Sequence, residues 1–99
     1  MPHLILFEDN PDAPADLRAR HMGSHLAFLE AEAAVIEAAG PLFTATDAPA
    51  GGAWIVDANS DEAEALVRAD PFWTTGLRKS HRVLEWRQVF AGGRRLISP

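Results

Sequence analysis

The stretch Ala33-Ala34-Val35-Ile36-Glu37-Ala38-Ala39-Gly40-Pro41 decides the fold, because it can be read in two ways. By propensity the helix that precedes it runs on to Ala39, and Gly40-Pro41 then supplies a C-cap and a stop. The other reading breaks the helix near Ala33 and makes Val35 to Ala39 a strand. Helix propensity favours the first, and local pattern alone leaves both open.

The flanking segments are less ambiguous. Leu4-Ile5-Leu6-Phe7 is a short continuous apolar run closed by Glu8-Asp9-Asn10-Pro11, the pattern of a buried central strand and a turn. From about Asp12 or Asp16 to Ala33 the chain is Ala-rich, with an apolar row at Met22, Leu26, Leu29 and Ala33 that predicts a helix. Residues in a helix are about 100° apart, so His25 falls about 60° off that row, at the border of the buried face, and His21 about 100° off it. Thr46 to Gly52 reads as a turn, and Ala53-Trp54-Ile55-Val56-Asp57-Ala58 as a strand. Asn59 or Ser60 caps a second helix whose first turn carries Asp61 and Glu62, and this helix ends near Asp70. Pro71-Phe72-Trp73-Thr74-Thr75-Gly76 then reads as a short extra turn, with proline at its first position. His81 to Phe90 alternates partially and predicts a long last strand; residues from 91 to 99 are expected to fray.

Composition bounds the function. With 99 residues the chain makes one domain, 1–99, with a single core. A content of 47% hydrophobic and 23% charged residues places it among ordinary globular domains. Its net charge of -5 argues against a protein that tracks nucleic-acid phosphates, since such proteins cluster Lys and Arg. No cysteine is present, so there is no disulfide framework, thiol nucleophile or thiolate metal cage. The N-terminal apolar run is too short for a signal peptide or membrane span, and the expected compartment is the cytoplasm.

Ser24-His25-Leu26-Ala27-Phe28-Leu29, Ala39-Gly40-Pro41-Leu42, Gly52 at the head of the third strand, Ala69-Asp70-Pro71-Phe72 and Gly76-Leu77 together resemble the YCII-related (YciI-like) proteins. The resemblance runs from about Leu4 to Phe90. It departs at His21-Met22-Gly23-Ser24, where family members often carry an arginine-containing stretch. The resemblance implies the strand reading at Val35 to Ala39. The element order becomes β-α-β-β-α-β: an α+β, ferredoxin-like fold of the dimeric α/β barrel group, with an antiparallel sheet and two helices on one face. The other sheet face would expose apolar residues, among them some of Trp54, Trp86 and Phe90, and such a patch predicts a homodimer packed sheet to sheet.

His25 and Asp70 carry the chemical expectation. A helix-borne imidazole and a carboxylate at a proline-initiated turn suit a small acid–base pair if the fold brings them together. The resemblance implies that they are the catalytic dyad; Gly40, Pro41, Pro71, Phe72 and Trp73 are the expected substrate-binding residues. Imidazole titrates near about 6.5 and exchanges protons at neutral pH. A carboxylate would orient it and stabilise its cation. One branch of the family removes chloride from a chlorinated hydroxyhydroquinone. The expected function is therefore a lyase- or isomerase-type enzyme acting on a small aromatic or enolisable molecule. The alternative is a non-catalytic ligand-binding or accessory domain of the same fold. A third reading takes Met1-Pro2-His3-Leu4-Ile5 as the opening of a tautomerase with Pro2 as its base. His21 and His25 are spaced i, i+4, a metal-compatible interval, but no third ligand is specified and no metal is expected. Glycines 40, 51 and 52 make no phosphate-binding fingerprint, so no cofactor is expected.

Overall fold

The computed structural model describes residues 2–99. The order is β1 (Pro2–Asp9), α1 (Leu17–Ala31), β2 (Ile36–Phe43), β3 (Pro49–Asp57), α2 (Ser60–Ala69), α3 (Pro71–Thr74) and β4 (Arg78–Glu85), followed by β5 (Phe90–Ala91) and β6 (Arg94–Arg95). The four long strands form an antiparallel sheet in the order β2-β3-β1-β4, with the helices on one face.

The deciding stretch is a strand. The Val35 and Ile36 amides both donate to the Glu32 carbonyl, and the Asp57 amide donates to Val35, so the chain turns straight from α1 into the sheet. Ile36 pairs with Val56 and is buried in the core. β2 runs through Gly40-Pro41 to Phe43 instead of ending there. Its place at the sheet edge explains this, because an edge proline removes no ladder hydrogen bond that the sheet needs.

Strand alternation sets the two faces. On β1, His3, Ile5 and Phe7 are buried under the helices, while Leu4 and Leu6 are half-buried on the open face beside Ile55 of β3 and Leu84 of β4. Trp54 lies on the helix side, 1% exposed and edge-on to Phe7 at 5.1 Å, so it is removed from the expected open-face patch. Trp86 and Phe90 are exposed.

Three further expectations are corrected. β4 begins at Arg78 and ends at Glu85, where the Trp86 amide donates to Pro2 and closes the pairing with β1. The tail does not simply fray from 91: β5 and β6 pair as a hairpin across Gly92-Gly93, both at positive φ. The inward face of α1 is turned roughly a quarter turn from the expected row. Its buried residues are Leu17 and His25, whereas Leu26 is 48% exposed. Among the described residues no helix is long and apolar enough to cross a membrane.

Candidate active site

The site is built where α2 gives way to α3. Asp70 is the C-cap of α2 and, with φ -69° and ψ 130°, the N-cap of α3. Its Oδ1 accepts the Phe72 amide at 3.1 Å, while Pro71 at N1 has no amide to leave unsatisfied. The same Oδ1 lies 2.7 Å from Nδ1 of His25. Asp70 is fully buried and His25 is 7% exposed, so the contact is largely shielded from solvent. A carboxylate only accepts hydrogen bonds, so Nδ1 donates, and Nε2 is the nitrogen left to the cavity. Phe72 stacks on the His25 ring at 3.9 Å, with 13° between the planes, and fixes its orientation.

Behind this pair stands Arg78, a residue to which the sequence alone assigned no role. It opens β4 opposite Asp9, its side chain is 6% exposed, and its Nη2 is 3.4 Å from Asp70 Oδ2. The guanidinium lies over the Phe7 ring, 3.6 Å from its centroid. Gly52 makes the room: a Cβ there would stand 3.4 Å from Arg78 Nη1 and 3.3 Å from the Gly40 carbonyl. Burial lowers Arg78 to about 10, opposed by the nearby Asp70 and Asp9 charges, so it remains a cation at neutral pH. Asp70 Oδ2 and Arg78 Nε are, among the described residues, the buried side-chain polar atoms without a hydrogen-bond partner. They belong to one buried ion pair, Nη2 to Oδ2 at 3.4 Å, so each is compensated by the other residue's charge rather than by a hydrogen bond.

A cavity of about 120 Å³ opens beside these groups. His25, Arg78, Phe72 and Trp54 form part of its wall, with Gly40, Pro41, Gly51 and Gly52 along the β2–β3 side. Arg18 and Asp9, ion-paired at 2.7 Å, also line it. A cavity of about 150 Å³ holds benzene, so this one suits part or all of a single ring.

Of the expected site residues, the structure brings together His25, Asp70, Gly40, Pro41 and Phe72, with Asp70 behind the wall rather than in it. Pro71 and Trp73 lie outside the cavity walls. The reason is helical: in α3 successive side chains diverge by about 100°, so Phe72 turns to His25 while its neighbours turn away. Trp73 instead packs edge-on to His81 at 4.9 Å. His81 in turn makes a second imidazole–carboxylate contact, Nε2 to Glu64 Oε2 at 2.6 Å, joining β4 to α2. Ser24 is on the exposed side of α1, its hydroxyl donating to the His21 carbonyl. Among the described residues no three His, Asp or Glu side chains gather as metal ligands.

The YCII-related domain model matches residues 1–87. The chain belongs to the YCII-related family. This YCII-related chain is also similar to a solved structure, that of 5-chloro-2-hydroxyhydroquinone dehydrochlorinase from Burkholderia phenoliruptrix AC1100 in complex with 2,5-dihydroxybenzoquinone. The identity is 32%, the TM-score 0.72, and the match covers 88% of this chain and 94% of that one. No curated protein matches the chain. The YCII-related assignment and the structural likeness agree with the α+β fold expected from sequence.

Proposed function

We propose that this chain is a lyase-type enzyme that removes a proton and a leaving group from a small polyhydroxylated or enolisable ring, with His25 as acid and base. The observation that carries this reading is the 2.7 Å contact between His25 Nδ1 and buried Asp70, with His25 in the cavity wall. Asp70 holds the ring in the tautomer whose Nε2 accepts a proton, and its charge stabilises the imidazolium that results. Arg78 supplies a fixed cation beside the ring oxygen that becomes negative. In a chlorinated ring the balance is loss of HCl. His25 moves a hydroxyl proton to the carbon bearing chlorine; removal of a second hydroxyl proton then drives the C–Cl electron pair onto chloride and leaves a quinone. No external oxidant is required.

The neighbour's activity and its quinone ligand support this chemistry for the shared fold. Pro2 is a weaker base candidate, because strand alternation puts it on the open face of β1 with Leu4 and Leu6, whereas His25 and the cavity lie on the helix side. The half-buried Leu4, Leu6, Ile55 and Leu84 on the open sheet face support association of two copies through that face.

The test is chloride release from 5-chloro-2-hydroxyhydroquinone. The parent chain should turn it over, and folded His25→Gln should lose at least about 100-fold in kcat/KM. Equal turnover by His25→Gln would overturn the role of the imidazole. Ring binding by the parent chain without turnover would make it a ligand-binding module.

A further inference from the structure

A second cavity adjoins the first, and the reaction proposed above makes no use of it. It measures about 380 Å³ and shares Asp9, Arg18, Met22, Pro41 and Gly51 with the smaller one. Its remaining wall is mostly apolar, including Ala13, Pro14, Leu42, Phe43, Pro49 and Leu77. The charges in the shared wall, Arg18 and Asp9, are paired with each other at 2.7 Å, so together they add no net charge there. Leu42 and Phe43, which line it, are 40% and 57% exposed, an apolar surface left open among the described residues.

Size decides what the pair of cavities can hold. Pockets for organic ligands usually span about 300–1,000 Å³. The ring cavity alone falls below that range at about 120 Å³, and the adjoining space brings the whole into it. Five shared wall residues make the two immediate neighbours, close enough for one molecule with a ring and a side arm to reach into both.

We infer that the second cavity is the subsite for an apolar substituent, and that the substrate is a polar one-ring head carrying an alkyl or similar hydrocarbon arm. The head lies at His25 and Arg78. The arm passes the Arg18–Asp9 pair and covers Leu42 and Phe43. The identity of the head rests on the function proposed above; the arm subsite rests on the second cavity alone.

Calorimetric titration with 2,5-dihydroxybenzoquinone and its 3-methyl, 3-propyl and 3-pentyl derivatives tests this. Affinity should rise about two- to fourfold per methylene, the lower figure for a half-buried chain and the upper for a fully buried one. Phe43→Ser, at an exposed position, and Ala15→Phe, which fills the subsite, should each flatten the rise. A series with no gain, or with falling affinity, overturns the inference while leaving the ring site intact. Binding of the alkylated compounds but not the parent quinone supports the arm subsite and removes the proposed head. If no member of the series binds, both readings fail. If Phe43→Ser changes the oligomeric state and leaves the rise unaltered, a second copy covers this surface and the arm does not.

Discussion

Replacing Asp70 separates a capping residue from a charged keystone. As a cap alone, Asp70→Ala would cost about 1 kcal/mol and Asp70→Asn less, since the amide oxygen can still accept the Phe72 amide. The structure assigns Asp70 more than that. It is fully buried, and it is the counterion of Arg78, whose side chain is only 6% exposed. Removing one partner of a buried ion pair costs about 3–5 kcal/mol, because the other charge is left uncompensated. The 3.4 Å separation and the absence of a direct hydrogen bond to Oδ2 place this pair at the lower end. Asp70→Asn should therefore lose about 3 kcal/mol and Asp70→Ala about 4 kcal/mol, cap included. Domains of this kind have about 5–15 kcal/mol in total, so the alanine variant approaches the limit of folding. In melting temperature the asparagine variant should fall by about 12 °C or more. Urea unfolding followed by tryptophan fluorescence measures both, with buried Trp54 as the reporter. The double variant Asp70→Asn/Arg78→Met removes both charges and should recover at least about 2 kcal/mol relative to the sum of the single variants. An asparagine variant within about 1 kcal/mol of the parent, or simple additivity with Arg78→Met, would refute the argument.

Gly51 has φ +89°, and a Cβ there would run into the Phe7 backbone carbonyl, so Gly51→Ala should cost about 2 kcal/mol or more; a thermal melt within 2 °C of the parent would contradict this. Leu84→Arg on the open sheet face should convert a dimer to a monomer in sedimentation, and a parent chain that is already monomeric would dispose of the association proposal. Burial lowers Arg78 to about 10, so it holds its charge through pH 9, and affinity for the acidic 2,5-dihydroxybenzoquinone should owe nothing to Arg78 titration over pH 7–9. Above about 10 the folded chain releases this proton before the unfolded chain does. Affinity should then fall, while Arg78 by itself shifts the folding balance toward the folded state. Affinity at pH 7 that Arg78→Met leaves unchanged would count against its role.

The backbone plan was legible because short apolar runs, a helix start at Asn59 and punctuation at Gly and Pro report local physics. The side chain of Asn59 does cap α2, accepting the Glu62 amide at 2.8 Å. The strand at Ile36 was less legible. Its helix-forming alanines are overridden by pairing with β3 and by burial of Ile36, neither of which is local. The rotation of α1 was hidden for the same reason. Hydrophobicity draws the inward row through Leu26, but the hydrogen bond to Asp70 and the stack on Phe72 hold His25 inside and leave Leu26 partly exposed. Arg78 gave the least signal. Arginine at the head of a strand reads as a solvated charge, and only the fold reveals Phe7 beneath it, Gly52 beside it and Asp70 within ion-pair distance.

The central claim is that His25 presents a basic Nε2 to the ring cavity because a buried Asp70 holds its Nδ1 proton. Nitrogen-15 NMR of the histidine side chains tests it, with His25→Gln to assign the resonance. In the neutral form His25 should carry its proton on Nδ1, and 2,5-dihydroxybenzoquinone should shift the Nε2 signal most. A proton found on Nε2, or a His25 resonance that saturating quinone leaves unmoved, would contradict the account.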